Sequence, residues 1–80
     1  MYVKAFRGVK FEKSYVERIL ESREDNDSTQ KDVAKLLGTT QQVYSRYEKG
    51  ENEIPIRHII SLAKYYKVTT DYILCVSDDK

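Results

Sequence analysis

From residue 14 onward, apolar positions recur at intervals of three and four residues, which is the spacing of a helix and not the alternation of a half-buried strand. The pattern predicts five short helices, over residues 14 to about 24, 30–37, 41–49, 55 or 56 to 66, and about 70–75. One proline and three glycines in the whole chain suit helices that are joined by tight turns. Short helices with short connections favour an all-α fold, a compact bundle of five helices.

Capping residues mark where the predicted helices begin and end. Two pairs fit the capping box, in which a hydroxyl and a carboxylate three residues apart each accept from the other's backbone N–H: Ser14 with Glu17, and Thr29 with Asp32. Thr40 and Thr69 are the predicted N-caps of the third and fifth helices. Pro55 suits a helix start, where a backbone N–H would have no partner. Gly38 and Gly50 are the predicted left-handed ends of the second and third helices.

The second and third predicted helices are joined by the turn Gly38-Thr39-Thr40, which is the arrangement of a helix-turn-helix. Tyr44 and Tyr47 lie three residues apart and therefore share one face of the third helix. The other side of that helix is polar and carries Gln41, Gln42, Ser45, Arg46 and Lys49. By spacing alone, two helices around a glycine turn are more often plain core packing than a DNA-binding unit.

Longer stretches of this region resemble a known family. Residues 29–38, TQKDVAKLLG, resemble the second helix and turn of Cro/Xre-type, lambda repressor-like DNA-binding proteins, and residues 40–50, TQQVYSRYEKG, resemble their recognition helix. Three further stretches resemble their last two helices: Ile54-Pro55, Leu62-Ala63 and residues 68–74. The resemblance covers roughly residues 14–75. It implies a bundle of four or five helices, with the second helix across the DNA backbone and the third in the major groove.

The resemblance also implies a set of DNA contacts. Base readout would come from Gln41, Gln42 and Arg46, because glutamine pairs with adenine N6 and N7, and arginine pairs with guanine O6 and N7. Contacts to the DNA backbone would come from Thr29, Gln30, Thr40, Ser45 and Lys49. Gln30 begins the second helix, whose N-terminal amides add to a phosphate site. The alternative for these residues is a solvated polar face, and it applies most to Ser45 and Lys49.

Two structural features follow from the same resemblance. Arg23 and Glu48 match a family ion pair that ties the first helix to the recognition helix, with two unpaired surface charges as the alternative. Members of the family commonly dimerise around the last helix. Tyr72, Ile73 and Leu74 would supply the apolar patch for such a dimer.

The sequence also departs from the family pattern. Ser22 and Ser28 stand where a core leucine is usual, so we expect a thinner contact between the first two helices, which N-terminal aromatics could fill. The loop after Gly50 carries Glu51, Asn52 and Glu53, where the family often has lysine or arginine. If those acids faced the DNA they would repel its backbone, and we expect modest phosphate affinity. His58 is expected to be a surface histidine.

Composition limits the remaining possibilities. A chain of 80 residues, 40% apolar and 34% charged, suits one domain. A single cysteine, Cys75, and a single histidine leave no intrachain disulfide and no Cys- or His-based metal cluster. No apolar stretch approaches the length of a membrane span, and we expect a soluble cytoplasmic protein without cofactor, metal or small-molecule ligand. We expect an N-terminal extension or arm over residues 1–13, the DNA-binding domain over 14–76 and a polar tail over 77–80.

The sequence leaves three classes of function to distinguish. The first is a sequence-specific regulator of transcription, a repressor that binds double-stranded DNA as a homodimer. The second is a protein-interaction module on the same fold, antitoxin-like or an adaptor, which the net charge of +1 and the acidic loop favour. The third is an enzyme. It is not expected, because the sequence shows no catalytic nucleophile paired with a general base, no phosphate-binding loop and no metal-ligand spacing.

Overall fold

The computed structural model describes residues 14–80, and that part of the chain contains helices and no strand. The helices are α1 (Tyr15–Asp25), α2 (Gln30–Leu37), α3 (Gln41–Lys49), α4 (Ile56–Tyr66) and α5 (Thr70–Ile73). The predicted all-α class is confirmed, and α2 and α3 have the predicted bounds. The N-terminal extension and its aromatic residues lie outside the described residues. Within residues 14–80, every helix is too short or too polar to cross a membrane.

The predicted capping residues begin their helices. In the box at α1, the backbone N–H of Glu17 donates to Ser14 Oγ at 3.3 Å and that of Ser14 donates to Glu17 Oε1 at 3.0 Å. The box at α2 is formed in the same way by Thr29 and Asp32. The Thr40 hydroxyl accepts from the N–H of Val43, so α3 begins at the predicted residue. These bonds satisfy backbone donors that a helix start would otherwise leave unpaired.

Left-handed residues end the middle three helices. Gly38 ends α2 at φ 72° and Gly50 ends α3 at φ 75°, as predicted. Lys67 ends α4 at φ 59°, although it carries a side chain. Cys75 is also left-handed, at φ 63°, and α5 ends before it at Ile73, two residues earlier than predicted. The short turn at Gly38 places α3 immediately after α2, as a helix-turn-helix requires.

One hydrophobic core lies between all five helices. Its buried members are Ile19, Val33, Ala34, Leu37, Tyr44, Tyr47, Ile54, Ile59, Leu62, Ala63, Tyr66 and Ile73. α3 contributes its two tyrosines, whose ring centroids lie 6.2 Å apart in an edge-to-face arrangement. Because α3 packs against both α1 and α2 through this side, its polar side faces outward.

His58 is part of the interior, and the prediction of a surface histidine is wrong. Its side chain is buried on the inner face of α4, one residue before the core residue Ile59. Its ring centroid lies 6.0 Å from that of Tyr47 on α3. Burial, and then the positive charge of Arg57, lower the pKa of His58. The neutral ring therefore acts as a packing residue between α3 and α4.

Arg18 is a buried cation that the apolar pattern did not reveal. Its guanidinium lies 4.0 Å from the centroid of the Tyr72 ring, and its Nη2 is 3.2 Å from Asp78 Oδ1. The segment predicted as a polar tail therefore contacts the helices, and Asp79 also accepts a hydrogen bond from Thr69 through its carbonyl oxygen. A cation over an aromatic face, with a carboxylate beside it, keeps this charge compensated.

The two serines at usual leucine positions have different surroundings. Ser22 is buried, and its backbone carbonyl accepts from Asn26 Nδ2 at 2.8 Å. Ser28 Oγ lies 3.1 Å from the hydroxyl of Tyr65. An open cleft of about 270 Å³ adjoins Ser22, between the ends of α1 and α4 and residues of the C-terminal segment.

Lys67 gives a direct test of the left-handed helix end. Replacing it with glycine is expected to raise the free energy of unfolding by about 1 kcal/mol, because the left-handed conformation costs a residue with Cβ roughly 1–2 kcal/mol. The melting temperature, measured by circular dichroism, would then rise by roughly 4–8 °C. The matched converse is Gly38→Ala, where an added Cβ meets no atom within 4 Å, so that a loss isolates backbone strain. Unchanged melting of both variants would contradict the two assignments.

Candidate nucleic-acid interface

The outward face of α3 and the start of α2 form one polar concavity. It has a volume of about 400 Å³ and is lined by Gln30, Gln41, Gln42, Ser45, Arg46, Lys49 and Glu51. Six of the eight residues that the sequence predicts as DNA contacts therefore share one surface. Gln41, Gln42 and Arg46 are exposed on it, so their amide and guanidinium groups face solvent.

Thr29 and Thr40 do not line the concavity, although both are exposed at the helix starts beside it. Each hydroxyl accepts a hydrogen bond from a backbone N–H of its own helix. A hydroxyl that accepts in this way keeps its hydrogen for donation. Capping thus explains both residues in the free protein, and their contact to the DNA backbone stays a prediction.

Gln30 connects the surface to the interior. Its side-chain amide donates to Glu48 Oε1 at 2.9 Å. An amide nitrogen carries two hydrogens, so one remains for an acceptor outside the protein. Pattern and spacing gave no sign of the contact with Glu48, because Gln30 and Glu48 lie on different helices.

The structure brings Arg23 and Glu48 together as a bidentate ion pair. Arg23 Nε lies 2.7 Å from Glu48 Oε2, and Arg23 Nη2 lies 3.1 Å from Glu48 Oε1. Arg23 Nη1 also donates to the carbonyl oxygen of Ser28 at 3.0 Å. The two side chains are only 14% and 4% exposed. The pair thus joins the end of α1, the following loop and α3 beneath the polar concavity.

The surroundings of Glu48 keep it ionised. Burial alone would raise the pKa of Glu48, but the hydrogen bonds from Arg23 and Gln30 outweigh burial and lower it. Burial, and then the Glu48 carboxylate, raise the pKa of Tyr44 and of Tyr66. The site therefore holds a fixed carboxylate charge with donors arranged around it.

Glu51 is the one residue of the acidic loop that lines the concavity. Its backbone N–H donates to the carbonyl oxygen of Arg46 at 2.9 Å across the left-handed turn at Gly50. Its carboxylate shares the surface with the two cations Arg46 and Lys49, so the concavity has a formal charge of +1. Asn52 and Glu53 lie outside it.

The predicted apolar patch for a dimer needs correction. Tyr72 is 8% exposed and Ile73 is fully buried, because α5 turns both side chains toward the chain's own interior. Leu74 is 40% exposed and is the only one of the three that presents substantial apolar surface. Val76, two residues later, is 73% exposed.

The described residues offer no site for a metal. In residues 14–80, no three His, Cys, Asp or Glu side chains lie close enough together to hold an ion. The polar concavity is lined by amide, hydroxyl and cationic groups, with one carboxylate. Such a surface suits recognition of another molecule by hydrogen bonds and charge.

A sequence model of a helix-turn-helix family matches residues 19–73 of the chain. This protein belongs to the Cro/C1-type helix-turn-helix family. The resemblance that the sequence motifs indicate is thereby confirmed. Among curated proteins, this helix-turn-helix chain is 31% identical over 65 residues to the uncharacterized HTH-type transcriptional regulator YobD of Bacillus subtilis (strain 168). The match covers 81% of this chain and 58% of YobD, so the chain spans little more than half of that relative.

Solved structures share the fold. The P22 c2 repressor, crystallised with synthetic operator 9T in the presence of Tl+, is similar at 26% identity and a TM-score of 0.70, over 78% of this chain and 94% of that one. The solution structure of the DNA-binding domain of P22 c2 repressor matches at 24% identity and a TM-score of 0.72, over 85% and 92% of the two chains. A transcriptional regulator from Listeria innocua matches at 21% identity and a TM-score of 0.72, over 76% of this chain and 57% of that one.

Removing Glu48 tests the buried pair. Glu48→Ala is expected to lower the free energy of unfolding by about 3–5 kcal/mol, because it leaves the Arg23 charge buried without its partner. Since the folded-state pKa of Glu48 is lowered, its charge stabilises the fold above the ordinary value of 4.5, and this contribution is lost as the pH falls through the folded-state pKa. Chemical denaturation between pH 7 and pH 3 measures both effects.

The control for this measurement is Glu53→Ala, which removes an exposed carboxylate from the loop after α3. It should leave stability almost unchanged. Equal stabilities of the parent and Glu48→Ala would contradict a structural role for the pair.

Proposed function

We propose that this chain is a sequence-specific regulator of transcription, a repressor that binds double-stranded DNA as a homodimer with α3 in the major groove. The observation that carries the proposal is the grouping of Gln30, Gln41, Gln42, Arg46 and their polar neighbours on one exposed concavity. Membership of the Cro/C1-type family supports it, as does the similarity to the P22 c2 repressor, which was crystallised with a synthetic operator.

Base readout is assigned to the outward face of α3. In helix-turn-helix proteins the N-terminal residues of the recognition helix contact base edges. Gln41 and Gln42 are the first two residues of α3, and their amides can each pair with adenine. Arg46 follows Gln42 by four residues, one turn further along the helix, where it can pair with guanine or a phosphate.

Backbone contacts are assigned to the edges of the same surface. The free amide hydrogen of Gln30 and the backbone amides that begin α2 would donate to a phosphate. Ser45 and Lys49 line the concavity beside the base-reading groups and would add a hydroxyl and a cation. Thr29 and Thr40 would donate through their remaining hydroxyl hydrogens. These contacts would fix the position of the protein without reading sequence.

A homodimer would place two copies of α3 about one helical turn of DNA apart, on a pseudo-palindromic site. Repression would follow from occupation of that site. We assign residues 14–76 to the DNA-binding domain, and Leu74 to the dimer contact because it is exposed beside the buried α5. Helix-turn-helix transcriptional regulators are a non-enzymatic family, which supports a regulator without catalytic activity.

A protein-interaction module is the second candidate, and Glu51 is the observation that favours it. A carboxylate within the concavity reduces its attraction for phosphate and would suit a basic partner protein. A module of this kind would bind a partner protein, and it would enrich no DNA sequence in a binding selection.

Selection from a randomised duplex library at moderate salt, with sequencing of the bound pool, tests the proposal. Enrichment of a two-fold motif is expected, with half-sites about one turn apart. Gln42→Ala should weaken binding to that motif by roughly 1–3 kcal/mol and relax the choice at one base pair.

The control is Asn52→Ala, since Asn52 is exposed in the adjacent loop and does not line the concavity. An unchanged base preference in Gln42→Ala would remove Gln42 from the readout. If folded protein enriches no motif in the bound DNA pool, sequence-specific DNA recognition would be overturned and the protein-interaction module would be favoured.

A further inference from the structure

The position of Glu51 within the concavity has a consequence for affinity. Gly50 ends α3 in the left-handed conformation, and the next two backbone N–H groups, of Glu51 and Asn52, both donate to the carbonyl oxygen of Arg46. Residue 51 directly follows this turn and lines the same surface as Arg46 and Lys49. These backbone bonds at the end of the helix hold residue 51 in place.

The Glu51 carboxylate has no ion-pair partner within the described residues, although two cations line the same concavity. No hydrogen bond or ion pair joins its side chain to another residue of 14–80, and Arg46 and Lys49 are likewise without an ion pair there. Glu53, two residues later, is also exposed but lies outside the concavity. The two carboxylates therefore differ in their position relative to the proposed DNA surface and not in charge.

In the proposed DNA complex, Glu51 lies beyond the C-terminal end of α3, whereas the N-terminal end of that helix faces the bases. A group at the far end of the concavity faces the sugar-phosphate backbone. A carboxylate there repels phosphate and reduces the number of counterions that binding releases. This effect is independent of base sequence.

We propose that Glu51 is an affinity-setting residue that weakens attraction to the DNA backbone on every duplex, so that backbone contacts alone do not hold the protein and stable binding also requires the base contacts of α3. The inference rests on the proposed function. It accounts for a carboxylate among groups that otherwise suit DNA. Because the repulsion is the same on every duplex, its main result is low occupancy of DNA that lacks the preferred site.

Glu51→Gln tests this inference with the whole chain, on the selected duplex and on a scrambled duplex of equal length. The variant should bind both duplexes more tightly, and by the same factor. The advantage should fall roughly three- to fourfold between 50 and 200 mM salt, since the slope of log affinity against log salt steepens by about one phosphate equivalent. Glu51→Lys should bind more tightly still.

Glu53→Gln is the matched control, because it changes the net charge by the same amount outside the concavity. It should leave both affinities and the salt slope nearly unchanged, and melting curves establish that all variants are folded. An equal effect of Glu53→Gln would overturn the inference in favour of net charge alone.

Three further outcomes would overturn it. A change in preference at a single base pair in Glu51→Gln would mean that the carboxylate reads a base, such as cytosine through its N4 amino group. If the parent binds DNA and Glu51→Gln binds it with the same affinity, this inference would be overturned and the proposed function would stay intact. Failure of the parent and all variants to bind any duplex would overturn both.

Discussion

The buried ion pair between Arg23 and Glu48 constrains every element that carries the candidate site. Two opposite charges out of water stabilise a fold only when their geometry is close and their remaining hydrogen-bonding groups are satisfied. Here the pair is bidentate, Arg23 also donates to a loop carbonyl, and Glu48 also accepts from Gln30. The end of α1, the start of α2 and the body of α3 consequently hold fixed relative positions.

The buried Arg23–Glu48 pair is connected to the polar concavity on the surface. Gln30 uses one amide hydrogen inside the network and lines the concavity together with the exposed residues of α3. The buried tyrosines of α3 fix the rotation of the helix, so that Gln42 and Arg46 face outward. The proposed contacts to base and backbone therefore rest on one packed unit, and a change at Glu48 would alter both stability and recognition.

Local features of the sequence predict the helices well, whereas the side that a short helix buries depends on its neighbours. Caps such as Ser14 and ends such as Gly38 act within a few residues, so their bounds follow from sequence. The predicted surface position of His58 is wrong because its burial depends on Tyr47 of another helix. The four residues of α5 are too few to show a periodic stripe, and the predicted dimer surface therefore includes Ile73, which lies in the core.

NMR titration of ¹⁵N-labelled protein with a duplex that carries the selected motif, compared with a scrambled duplex, tests directly where DNA binds. The proposed function requires that the concavity formed by α3 and the start of α2 contacts DNA. It predicts large amide shift changes at Gln30 and along residues 41–51, with nuclear Overhauser contacts from the Gln42 side chain to major-groove base protons of the selected duplex only. Shift changes confined to other surfaces, or identical changes with both duplexes and no base contact, would contradict it.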